Sequence, residues 1–152
     1  MTITQYTQEQ LAAQPIGHWS AEAAKHVVGG LRAALAEENL TQPHWWILNH
    51  VAGAPAAWQR PALTEKLTRY ADAGTDFEAI HEDLIARGWL VETAGALTLT
   101  VEGEAGRLRA HDRNAIVHAR MREGIDTAAY AATIDVLRRM VANLGGDGDL
   151  PS

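Results

Sequence analysis

Between Leu84 and Ala105 the chain reads LIARGWLVETAGALTLTVEGEA, and this stretch restricts the fold more than any other. The helical segment FEAIHEDLIARG runs into Gly88, a residue suited to the backbone turn that stops a helix. Two short segments follow, Trp89–Glu92 and Ala96–Thr100, apolar and β-branched on either side of Gly95, and they predict a β-hairpin. A charged helical sequence starts immediately afterwards, near Val101.

The remainder reads as helix. Ser20 is placed to cap a helix whose apolar positions Ala24, Val27, Val28, Leu31 and Leu35 share one face, with Gly29-Gly30 in its middle. Thr41 caps a second helix with Pro43 in its first turn, followed by Trp45, Trp46, Leu48 and Val51. A third starts near Pro61 and uses Leu63, Leu67 and Tyr70. Asp76 or Thr75 caps the fourth, with Phe77, Ile80, Leu84 and Ile85 as its buried stripe. After the hairpin come a long helix from about Val101 to Glu123 and a last one capped by Asp126, bearing Ile134, Leu137, Met140, Val141 and Leu144. The expected fold is mainly α with a small β-hairpin: a winged helix–turn–helix between N- and C-terminal helices. Those outer helices cannot bury their apolar faces alone, and a symmetric dimer would cover them.

At 152 residues the chain reads as a single domain, large enough to bury a core without metals or disulfides. No apolar run approaches the roughly 18 residues of a membrane span. The opening MTITQYTQEQ has neither the basic region nor the apolar core of a signal peptide. With no cysteine the chain fits a reducing compartment, and a cytoplasmic protein without membrane contact is expected. A net charge of −6 argues against indiscriminate nucleic-acid binding, which needs Lys and Arg against phosphates.

The order of elements and three stretches, LTQPHWWILNHVAGAP (Leu40–Pro55), Leu84–Ala105 with its Leu99-Thr100-Val101-Glu102-Gly103 turn, and IDVLRRMVANLGG (Ile134–Gly146), resemble the MarR family of transcriptional regulators, in particular an actinobacterial type. The resemblance covers about Pro15 to Gly146. It implies a homodimer formed by helices within about 15–40 and 106–146, around a winged helix–turn–helix lobe at about 41–105. It further implies a reading helix at Asp76–Arg87, a wing at Glu92–Ala96 and a small-ligand pocket where lobe and dimer helices meet. The sequence departs from the family in charge. Within the reading helix Asp76, Glu78, Glu82 and Asp83 face only Arg87, and the wing tip Glu92-Thr93-Ala94-Gly95-Ala96 has no arginine.

Two constellations carry the functional expectation. For double-stranded DNA they are Arg60, Lys66 and Arg69 on the third helix, with Thr75, His81 and Arg87 on the fourth; Arg60 and Arg69 would anchor phosphates and His81 would reach a base edge. For a small aromatic or phenolic ligand they are Trp19, His26, Trp45, Trp46 and His50, flat apolar rings with imidazoles as adjustable donors or acceptors. The same tryptophans also suit plain core packing. No two histidines have the spacing of paired metal ligands, and no nucleophile elbow, P-loop or dinucleotide loop is present, so neither metal, cofactor nor catalytic residue is expected. The sequence leaves two functions open. One is a ligand-responsive, DNA-binding regulator; the other keeps the fold but binds or transforms a small molecule in the Trp/His pocket.

Overall fold

Caps fix most helix boundaries. The Asp76 carboxylate accepts from the Ala79 amide at 3.0 Å and starts α5, Phe77–Ala86. Asp126 accepts from Ala129 at 2.8 Å and starts α7, Thr127–Asn143. Thr41 opens α3, Gln42–Gly53, through a capping box in which His44 returns a ring nitrogen to the Thr41 amide. In each case a side chain satisfies backbone groups that the first helical turn leaves unpaired.

Two helix starts differ from the sequence expectation. Ser20 is not a cap: α2, Ile16–Ala36, begins a turn earlier, directly after Pro15, and the Ser20 hydroxyl donates back to the Ile16 carbonyl at 2.8 Å. A short α1, Gln8–Ala12, also precedes it, set by a reciprocal capping box between Thr7 and Gln10. The T-x-x-Q signature was visible in the polar opening sequence. The computed structural model describes residues 3–149.

The chain forms two units, Met1–Val117 and His118–Ser152. In the first, α4 (Arg60–Thr68) and α5 make the helix–turn–helix, and β1 (Leu90–Thr93) pairs antiparallel with β2 (Ala96–Leu99), Leu90 opposite Leu99 and Thr93 opposite Ala96. The two-residue loop Ala94-Gly95 has both φ angles positive, 51° and 81°, the primed turn whose twist matches a hairpin. One core joins Leu35, Leu40, Ile47, Leu48, Val51, Leu63, Leu67, Phe77, Leu84, Leu90, Leu97 and Ala110, so α2 to α6 all contribute. Each of the larger side chains, Ala110 excepted, contributes about 1.5–3 kcal/mol on burial. The second unit holds α7, which has no buried residue and exposes Ile134, Val136, Met140 and Val141.

The turn into α6 (Val101–Met121) explains the Leu99–Gly103 sequence. The Thr100 hydroxyl donates to the Gly88 carbonyl at 2.6 Å and accepts from the Gly103 amide at 3.0 Å, so one side chain links the end of α5 to the start of α6. A Cβ on Gly103 would lie 2.0 Å from the Trp89 carbonyl oxygen, and one on Gly106 would lie 2.3 Å from the Trp89 ring. Those two glycines let α6 lie directly on Trp89. Gly30 plays a milder part on α2, where a Cβ would lie 3.2 Å from Val117.

Gly103→Ala is expected to cost about 1–3 kcal/mol through forced displacement. Thr100→Ala should cost about 1 kcal/mol through loss of the cap. Thermal unfolding checks both, and a Gly103→Ala protein that melts with the parent contradicts this seating of Trp89.

Candidate nucleic-acid interface

The first residue of α4 carries the dominant electrostatic contact of this face. The Arg60 Nη1 donates to Glu78 at 2.7 Å and also to Glu82, while Nε donates to Glu92. Glu78 and Glu82 are four apart and share a face of α5; Glu92 lies on β1. One guanidinium therefore holds α4, α5 and the wing strand together. Its side chain is 20 % exposed, while Glu78 and Glu82 are 67 % and 60 % exposed. The carboxylates, Glu82 foremost, push the Arg60 pKa upward, so it stays charged at any working pH. The arginine expected to meet phosphates is thus occupied by three carboxylates.

His81 needs a correction. The expectation that it reaches a base edge fails, because the side chain is fully buried. The reason is periodicity: position 81 is four residues after Phe77 and three before Leu84, so it lies on the apolar stripe of α5. Neither ring nitrogen has a hydrogen-bond partner among the described residues. The remaining candidates are less confined. Arg87 pairs with Asp83 at 2.6 Å and lies over the Trp89 ring; Arg69 is exposed and lies over Tyr70. Lys66 is in the last turn of α4, and the Thr75 hydroxyl donates to the Asp72 carbonyl at 2.7 Å.

A second polar chain crosses from α3 to α5. The Thr41 amide donates to His44 Nδ1 at 3.2 Å, which makes Nδ1 an acceptor and places the ring proton on Nε2, facing Asp83 at 3.1 Å. Burial of Asp83 by itself favours the protonated acid, but hydrogen bonds and charge from Arg87 and His44 outweigh it and hold its pKa low.

The aromatic set divides. Trp45 and Trp46 pack against the core from α3, Trp46 meets Tyr70 edge-on at 6.5 Å, and His50 meets Trp58 at 5.9 Å. His50 Nδ1 donates to the Trp46 carbonyl at 2.8 Å, leaving Nε2 as an acceptor. Trp19 instead faces the N-terminal arm, its indole donating to Gln14 at 2.6 Å beside a cleft of about 430 Å³ with Tyr6 and Leu11. His26 is solvent-exposed beside Glu22 at 3.4 Å. Among the described residues no ring contact links Trp19 or His26 to the α3 aromatics. Another cleft of about 470 Å³, between the end of α3, β2 and the start of α6, is lined by Val51, Leu99, Glu104 and Arg107 and by none of the five expected residues.

No family model and no curated protein matches the sequence. Solved structures do match in fold. A MarR family transcriptional regulator from Silicibacter pomeroyi superposes with a TM-score of 0.68 at 16 % identity, covering 91 % of this chain and 99 % of that one. The PcaV transcriptional regulator from Streptomyces coelicolor gives 0.70 at 20 % identity, covering 87 % and 98 %. A Mycobacterium tuberculosis MarR family protein in complex with DNA gives 0.61 at 20 % identity, covering 88 % and 99 %. The same protein also matches in its complex with salicylic acid. The chain has the MarR fold.

Several contacts of this MarR fold were not read from the sequence. The Glu78–Glu82 spacing announced a paired acidic face on α5, but its tie to Arg60 spans 18 and 22 residues and depends on how the helices cross. Three arginines of α6 also pair within the chain: Arg107 with Glu104, Arg109 with Glu38, and Arg113 with Glu37 and Glu38.

Burial holds the pKa of both His44 and His81 below the ordinary histidine value of 6.5, and for His81 the nearby Arg60 charge acts in the same direction. The unfolded chain therefore takes up protons that the fold resists. These groups leave stability intact above about pH 6.5 and reduce it as the pH falls below that value. The melting temperature is expected to fall between pH 7.5 and 5, and His81→Leu should flatten that decline. A melting temperature constant over this range contradicts the buried neutral imidazoles.

Proposed function

We propose that this chain is a cytoplasmic, homodimeric transcriptional regulator that binds double-stranded DNA through α5 and the hairpin and responds to a small aromatic ligand. The observation that carries the reading is the shared fold, which spans 87–91 % of this chain and nearly the full length of regulators that include a DNA complex. Residues 1–152 act as one functional domain, with a lobe at about 41–105 and dimer-forming segments at about 15–40 and 106–146.

The exposed side chains support a second copy as partner. Ile134 (41 %), Val136 (45 %) and Val141 (46 %) on α7 and, separately, Tyr6, Leu11 and Ile16 near the N-terminus leave apolar area uncovered. With His81 buried and Arg60 held by three carboxylates, Arg69, Lys66, Thr75 and Arg87 are the candidate DNA contacts that remain. The α3 pair Trp45 and Trp46 with His50 is the candidate ligand wall, and salicylic acid, held by the Mycobacterium tuberculosis protein, is the first probe. A ligand acts by its differential affinity for conformations with different separations of the two α5 helices.

A second reading is favoured by the Arg60 contact: a MarR fold that binds or transforms a small molecule without DNA. The carboxylates on α5 and β1 favour it, because each repels phosphate.

Light scattering should give twice the 16.5 kDa chain mass, and Ile134→Glu with Val141→Glu should give monomers. A parent protein that is monomeric at micromolar concentration ends the dimer reading. A shift assay with the promoter beside the gene separates the two functions: binding that weakens with salt supports the regulator, and none at low salt supports the second reading. Salicylic acid should quench tryptophan fluorescence saturably, with Trp46→Phe weakening binding by about tenfold. Unchanged affinity in that variant removes Trp46 from the site.

A further inference from the structure

We propose that Arg60 is an autoinhibitory latch, a phosphate-binding cation withheld from DNA by Glu78, Glu82 and Glu92. The proposal rests on the DNA-binding reading. Three of the five guanidinium N–H donors are committed to these carboxylates, so the group that would grip a phosphate is turned onto its own protein. Three carboxylates on one guanidinium also leave the cluster net negative, and an approaching phosphate meets repulsion before it can reach Arg60.

The placement makes this contact a latch and not a fixed strut. Glu78 and Glu82 are mostly exposed, so water and counterions screen them and their hold is replaceable. Glu92 is only 33 % exposed and belongs to β1, so release of Arg60 also removes the side-chain tie between α4 and the wing strand. His81 is buried on α5 with no hydrogen-bond partner among the described residues, and burial together with the Arg60 charge disfavours a second positive charge beside the cluster. Arg60 is the first residue of α4, so the positive end of that helix adds to its attraction for an anion once the carboxylates let go. The latch thus sets the affinity of the whole face: closed, the chain presents acid; open, it gains one phosphate contact and loses part of its repulsion.

A double-variant cycle tests it, using a fluorescent duplex of the promoter beside the gene over a range of salt. Glu78→Gln/Glu82→Gln/Glu92→Gln should tighten binding at least about tenfold at low salt and steepen the log–log salt slope by about 0.9, the value of one phosphate contact. Arg60→Ala in the parent should leave that slope unchanged, and in the triple variant it should abolish the steepening. Weaker binding of Arg60→Ala in the parent follows from the uncovered carboxylates alone, but if its slope becomes shallower by about 0.9, Arg60 already grips phosphate and the latch is overturned. If the gain of the triple variant survives Arg60→Ala, the carboxylates act by repulsion alone and the latch is overturned while the DNA reading stands. If no variant binds the duplex at low salt, the DNA reading fails and takes the latch with it. Glu82→Gln alone gives the same contrasts at smaller amplitude, should thermal melts show the triple variant unfolded.

Discussion

Trp89 resting on α6 is the contact on which the lobe depends. It is possible only because Gly103 and Gly106 present no side chain, and because Thr100 ties the end of α5 to the first turn of α6. Shift α6 outward by one methyl group and the strand that follows Trp89 loses its backing. The hairpin would then lose its position against α5, with which it forms the outer face of the lobe. Packing density leaves little slack for such a shift.

That face is built to a MarR plan and charged against it. The helix–turn–helix and hairpin are in place, yet the best-positioned cation is enclosed by carboxylates from two other elements. Individually such exposed pairs stabilise little. Their weight is in function: they decide what sign of charge the surface shows to a partner. The same holds along α6, where Arg107, Arg109 and Arg113 pair with Glu104, Glu37 and Glu38.

The elements were legible in the sequence to within a residue or two wherever a local signal set them. Asp76 and Asp126 as caps, Gly88 as a stop with φ of 69° and the hairpin around Gly95 all follow from interactions between near neighbours. Ser20 misled because a good capping residue sat inside a helix that Pro15 had already begun. His81 misled because its chemistry suited the outside while its spacing from Phe77 and Leu84 placed it inside. The five aromatic and imidazole residues looked like one cluster by composition. In the fold, Trp19 faces the arm and His26 faces solvent, and only the α3 trio shares a neighbourhood.

The sequence by itself determined the order of helices and hairpin, the turn residues that join them and the acidic balance of α5. All of these are written in short-range periodicity, caps and turn residues. Only the tertiary structure decided that Arg60 meets Glu92, 32 residues away, and that His44 meets Asp83, 39 residues away. Those pairings depend on the crossing of helices whose separation along the chain hides them. Charge counts carry no direction, and it is the packing of α4, α5 and β1 that turned an apparent phosphate anchor inward.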